Sequence, residues 1–277
     1  MWNEAISEDD YHAHPALGSG TIRRLQKGSA HHFLRKQWEC VFGADFDTKA
    51  LWFGRNFHAA VLTPELFWPK VVVIKRFETY VCKEARDHVK QLKKDNPPDS
   101  IFLRFEEEYL LLKMRQAILD HEIISEILNQ PGRCEVAGFF KDQETGVECK
   151  IKPDKISPSR KWIIDLKTMR EINGRAVLST AIESGWHVQA AHYLEGANAI
   201  DGADSYTKFM FLCVQKSPPF TVACYVCSDE LIEAGKNLRK KALLNFKNSF
   251  ECGRYSDENS GVFNLEKPLW LKDNMND

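Results

Sequence analysis

The chain has 277 residues, 43% of them hydrophobic, and a formal net charge of −1. That supplies one substantial core and is short of two comfortable domains. No apolar run reaches about 18 residues, which excludes a membrane-spanning helix, and the near-neutral balance excludes a uniformly basic chain, leaving nucleic-acid contact to local clusters.

In chain order, Ser19 and Ser29 are placed to cap two short helices. Residues 50–62 form a third, stopped by Thr63-Pro64. Val71–Ile74 is a short β-branched run and reads as a strand. Residues 83–94 make a charged helix halted at Asn96-Pro97-Pro98, and 105–129 reads as a long helical region closed by Pro131-Gly132. The period then changes from helical to alternating. Strands are expected at 134–140, 148–156 and 162–168, the first two joined by Glu144-Thr145-Gly146. Helices at 175–183 and 186–199, strands at 209–215 and 221–227, and a final helix at 229–250 complete the pattern. The tail from Tyr255 is polar until Trp270. These elements predict one α/β domain over 1–277, a mixed sheet with helices on both faces. Residues 1–130 are a mainly helical elaboration, 131–250 the core and 251–277 a tail.

Eight cysteines in a chain of this size do not make a disulfide scaffold. Cys224-x-x-Cys227 lies on a predicted strand, which sends the two thiols to opposite faces. They are therefore read as core packing, and no iron–sulfur cluster is expected. The acidic opening lacks a charged-then-apolar signal pattern, so the expected location is cytoplasmic. Candidate phosphate contacts are Arg23-Arg24-Lys27, Arg35-Lys36, Arg160-Lys161 and Arg239-Lys240-Lys241.

The densest chemistry lies between Glu148 and Lys167. Two alternating runs flank Ser157-Pro158-Ser159-Arg160 and read as a β-hairpin. A loop centred on Ser159 and Arg160 sets Asp154 opposite Asp165, with Cβ atoms about 4.5–5.5 Å apart. Lys167, two residues beyond Asp165, emerges on the same face. Facing carboxylates repel and raise each other's pKa, and a divalent cation between them reverses both effects.

Pro153-Asp154 followed by Asp165-Leu166-Lys167 resembles the PD-(D/E)xK nuclease superfamily. Gly54-x-x-x-His58 upstream and Gln189-x-x-x-Tyr193 downstream extend the likeness to its RecB-like branch. The opening Tyr11-His12-Ala13-His14-Pro15-Ala16-Leu17 with Ser19, then Ser29-Ala30-His31-His32, and the closing Pro268-Leu269-Trp270 are most similar to RecE-type exodeoxyribonuclease VIII domains. The resemblance implies a restriction-endonuclease-like core with a helical N-terminal elaboration, and Mg²⁺ as cofactor with Mn²⁺ as substitute. Asp154 and Asp165 would be metal ligands and catalytic carboxylates, joined at the metal by His58, Glu135 and the Leu166 carbonyl. Lys167 would stabilise charge, and Gln189 and Tyr193 would reach the active site. Gly54 would let its helix approach the sheet. Ser19, Arg23, Arg24, Arg160 and Lys161 are the candidate DNA contacts.

The activity implied is 5′→3′ exonucleolysis of linear duplex DNA, recognised by its 5′ phosphate, leaving 3′ tails for recombination. A ring-shaped homo-oligomer and a single-strand annealing protein are the implied partners. Two alternatives stay open: a RecB-like nuclease acting on single strands, flaps or specific sites, and a non-catalytic DNA-binding module that retains the fold.

Overall fold

The computed structural model describes residues 1–27, 48–252, 262 and 264. Ser29 to His32, Arg35-Lys36 and the closing Pro268-Leu269-Trp270 lie outside the described residues. Trp2–Asn3 (β1), Glu8–Ala13 (α1) and Ser19–Lys27 (α2) open the chain. Lys49–Leu62 (α3) is capped by the Thr48 hydroxyl, which accepts from the Leu51 N–H at 3.2 Å, and Pro64–Phe67 (α4) follows at once. Val71–Ile74 (β2), Lys83–Asp95 (α5) and Ile101–Arg104 (β3) come next, β2 and β3 pairing in parallel. The helical region expected over 105–129 consists of two helices, Phe105–Asp120 (α6) and Glu122–Asn129 (α7), separated by the extended backbone of His121.

The core strands are Arg133–Cys134 (β4), Ala137–Lys141 (β5), Glu148–Ile151 (β6), Lys155–Ser157 (β7) and Trp162–Met169 (β8). Gly174–Glu183 (α8), capped by Asn173, and Trp186–Asp201 (α9) lead to Lys208–Gln215 (β9), Val222–Val226 (β10) and Asp229–Cys252 (α10). A five-stranded sheet runs β10-β9-β8-β7-β4, and a three-stranded sheet runs β1-β5-β6. The β8–β9 pair is parallel and the other pairs of these two sheets are antiparallel.

The hairpin register is the one expected: Lys155 faces Ile164, Ile156 faces Ile163 and Ser157 faces Trp162. Its loop is a 3-10 turn, Pro158–Arg160, closed by Lys161 in the left-handed region at φ 57°. Two expected strands are each cut in half. The run over 148–156 stops at Lys152-Pro153-Asp154, where proline has no N–H for the ladder, and the chain passes from the smaller sheet to the larger. The run over 134–140 breaks at Glu135, which sits at φ 54°. The two crossings lie side by side, and the Glu135 N–H donates to the Asp154 carbonyl at 3.1 Å. A non-glycine residue at positive φ costs of order 1–3 kcal/mol and concentrates at working sites.

Helices cover both faces of the larger sheet, as the expected fold class requires. Ile164, Leu166, Met210 and Leu212 pack on Phe57 and Ala60 of α3 and on Leu111, Met114 and Ile118 of α6. Ile163, Phe209 and Phe211 pack on the other side against Val188, Ala190 and Tyr193 of α9 and against Ala242 and Leu243 of α10. Strand alternation, with Ile164 and Leu166 on the first face, turns Asp165 and Lys167 to the second. Among the described residues no helix is long and apolar enough to cross a membrane.

Candidate metal centre and its charged wall

Glu135 and Asp154 come from the two sheet crossings, and His58 reaches them from α3. One ligand atom from each lies within 4.8 Å of the others. His58 Nδ1 stands 3.2 Å from Asp154 Oδ1 and 3.9 Å from Glu135 Oε1. Asp154 is 7% exposed, and its Oδ2 accepts the Leu166 N–H at 2.6 Å. The Leu166 amide thus helps to fix the Asp154 carboxylate. Gly54 does not act as expected: a Cβ there would meet no described atom within 4 Å, so close packing does not demand glycine.

Asp165 is 2% exposed. Its Oδ1 accepts the Gln189 amide at 2.7 Å, and the Lys167 ammonium pairs with its Oδ2. Gln189 closes the triangle, its Oε1 accepting from Lys167 Nζ at 3.1 Å. Trp186 and Phe211 wall in the ammonium, their ring centroids 5.3 Å and 5.6 Å away. Tyr193, one turn beyond Gln189, sets its hydroxyl against Gln189 and Ser19. Ser19 is buried there, 8% exposed, as part of the same wall.

The electrostatics correct one expectation. The two aspartates do not raise each other alike. Burial opposes ionisation of Asp154, but His58, Lys167 and the Leu166 amide outweigh it and hold its carboxyl below the ordinary range. Asp165 is raised, by burial first and by Asp154 against the pull of Lys167. Burial and Asp154 push Glu135 up to about 8. Burial would lower His58, yet the surrounding carboxylates, Asp154 foremost, raise it to about 9. Burial lifts the Tyr193 phenol well above its usual range, which keeps it a donor.

Two carboxylates and an imidazole are donors that suit Mg²⁺ or Mn²⁺. Asp165 Oδ2, buried beside them, accepts no hydrogen bond of proper geometry although the Lys167 ammonium is close. Holding His58 and Glu135 protonated is the response of a cluster with more negative charge than its surroundings compensate. The donor set therefore fits a divalent cation.

The remaining candidates fall elsewhere. Arg23 donates to the Ser184 carbonyl at 3.1 Å, and Arg24 is exposed on α2. Arg160 and Lys161 occupy the turn at the far end of the hairpin, five and four residues from Asp165. Arg239 is not a surface phosphate contact at all. It is 4% exposed and pairs with Asp142 at 2.6 Å, with Glu195, and with His192 Nδ1 at 3.1 Å. Sequence reading missed Lys152, which bridges Glu135 at 3.3 Å and Glu8 of α1. Its place two residues before Asp154 was the available signal.

A mixed sheet between helical layers, with Asp154 at the entry to β7 and Asp165 and Lys167 along β8, defines a nuclease-like domain of the PD-(D/E)xK type. The chain belongs to the family described as a PDDEXK-like domain of unknown function, DUF3799, whose model matches residues 21–254. A candidate exonuclease from Eubacterium rectale shares the fold, with a TM-score of 0.62 at 15% identity over 96% of this chain and 97% of that one. A phage-related exonuclease from Haemophilus somnus 129PT aligns over 62% of this chain and 85% of that one, at 14% identity and a TM-score of 0.33. No curated protein matches the sequence.

Proposed function

We propose that the protein is a divalent-metal-dependent deoxyribonuclease, acting exonucleolytically on linear duplex DNA in the 5′→3′ direction. The observation that carries this reading is the convergence of His58, Glu135 and Asp154 within 4.8 Å of one another, beside the Asp165–Lys167–Gln189 triangle. His58, Glu135 and Asp154 would hold the ion, with Asp165 at its edge. A bound Mg²⁺ or Mn²⁺ supplies charge neutralisation at the scissile phosphate and a more acidic water.

The chain's own residues do the rest. Lys167 presents a compact ammonium to the charge that builds on the phosphate oxygens, a use to which a planar guanidinium is less suited. Gln189 fixes that ammonium and the Asp165 carboxylate in one geometry, so little reorganisation is needed during reaction. Tyr193, its buried hydroxyl set against Gln189, supports that amide from behind. Trp186 and Phe211 exclude water from the stem of Lys167 and strengthen its field.

Polarity, a 5′-phosphate requirement, ring assembly, an annealing partner and a role in recombination rest on the RecE-type resemblance of the sequence. A substrate panel tests them: linear duplex labelled at the 5′ or the 3′ end, with and without a 5′ phosphate, beside circular duplex and single strand, in Mg²⁺. Early release of the 5′ label from phosphorylated linear duplex supports the proposal. Preferred cleavage of single strands or flaps moves it to the wider RecB-like reading. Binding without cleavage of any DNA leaves the non-catalytic module.

A further inference from the structure

A cavity of about 280 Å³ lies between the ends of α3, α6 and α7. Lys155 and Cys134 form its sheet wall, facing each other in the β4–β7 register. Lys155 also faces Ile164, whose side chain belongs to the α3–α6 core. The cavity therefore opens on the sheet face opposite Asp165 and Lys167, yet Lys155 follows Asp154 directly and Cys134 precedes Glu135.

Arg115 of α6, Ser125 and Asn129 of α7 and Lys155 give the cavity its polar lining, with Leu62 and Leu128 among the apolar walls. Lys155 is 8% exposed. Among the described residues neither the Lys155 ammonium nor the Arg115 guanidinium has a hydrogen-bond or ion-pair partner. Glu135, Asp154 and the exposed Glu65 are near enough to act on Cys134, but none pairs with Lys155. The stem of Lys155 is packed in the sheet wall while its ammonium keeps solvent contact at the cavity, where it is open to an anion. Here two cations, a hydroxyl and an amide line one small space, with no carboxylate among the described residues of its lining.

We propose that this cavity binds a phosphoryl anion, free or carried on a nucleotide, with Lys155 and Arg115 as its charged contacts. A guanidinium fork and a point ammonium together match the oxygens of a phosphate. The cavity is smaller than the usual 300–1,000 Å³ or so of small-molecule sites, and its apolar walls leave room for little beyond the phosphoryl group and one compact moiety. This inference goes beyond the nuclease reading and does not depend on it.

The test is calorimetric titration of the full-length protein in EDTA with inorganic phosphate and, separately, with a deoxynucleoside 5′-monophosphate. Saturable binding is expected, weakened about tenfold to a hundredfold by Lys155→Met and by Arg115→Gln, the loss of one charged hydrogen-bond partner each. Arg115 is half-buried, so its variant reports even if Lys155→Met fails to fold. Lys167→Ala, on the other sheet face, should bind as the wild type does. Tighter binding of the nucleotide than of phosphate would assign the apolar wall to a nucleoside, and equal binding would assign the site to phosphate alone. Absence of saturable binding, binding that survives either cavity substitution in a folded protein, or binding lost only in Lys167→Ala would overturn the proposal.

Discussion

Replacing His58 with glutamine probes the cluster without touching a carboxylate. In the metal-free protein the His58 imidazole is raised from 6.5 to about 9 by its carboxylate neighbours, against its own burial. A folded-state pKa above the unfolded one means that folding takes up a proton, so the stability it contributes is full below about pH 6.5 and is lost as pH rises through about 9. The difference corresponds to about 3 kcal/mol at about 1.4 kcal/mol per unit. For a protein of this size that is a melting-temperature gap of roughly 6–12 °C. Glutamine cannot carry the proton. In EDTA, His58→Gln should therefore melt well below the wild type at about pH 5.5, and the gap should close by about pH 9.5. Glu135, raised to about 8, adds a fall of the same sign to both proteins and does not reverse the comparison. A gap of equal size at both pH values would mean that His58 contributes packing alone, and no gap at low pH would mean that its pairing with Asp154 is absent.

The same His58→Gln variant should need a higher Mn²⁺ concentration for half-maximal activity, read from a metal titration of DNA cleavage. Lys167→Ala should lower turnover by about 10² or more while leaving Mn²⁺ affinity nearly intact, since the loss is of charge stabilisation and not of a ligand; calorimetry and single-turnover rates separate the two. Arg239→Met should cost about 3–5 kcal/mol in denaturant melts, because Asp142 is left buried without its partner. Gly235→Ala should cost about 1–3 kcal/mol: a Cβ there would stand 2.1 Å from the His187 carbonyl oxygen and force α9 and α10 apart.

Much of this arrangement was legible in the chain because its signals are local. Alternation on either side of Ser159-Arg160 determined the hairpin register, and the spacing of Asp165 from Lys167 determined their shared face. Gln189 and Tyr193, one helical turn apart, turned inward together. What escaped was set by tertiary context. Glu135 reads as an ordinary strand residue until its φ of 54° is known, and nothing in Cys134-Glu135-Val136 announces a left-handed backbone. Pro153 lies inside a run that reads as one strand, and nothing local marks that its two halves enter different sheets. His121 ends a helix that propensity alone would continue. Arg239 sits in a basic triplet that reads as surface, and its partners Asp142 and His192 lie 97 and 47 residues away. Gly54 carried a family spacing but not the packing expected of it.

The central claim is that Asp154 and its neighbours hold the ion on which DNA hydrolysis depends. The most direct measurement is the release of acid-soluble nucleotide from uniformly labelled, 5′-phosphorylated linear duplex by wild type and by Asp154→Asn, each in Mg²⁺ and in EDTA. The account predicts steady release by the wild type in Mg²⁺ and a loss of about 10² or more in the other three conditions. Release that persists in EDTA, or in folded Asp154→Asn with Mg²⁺, would contradict it.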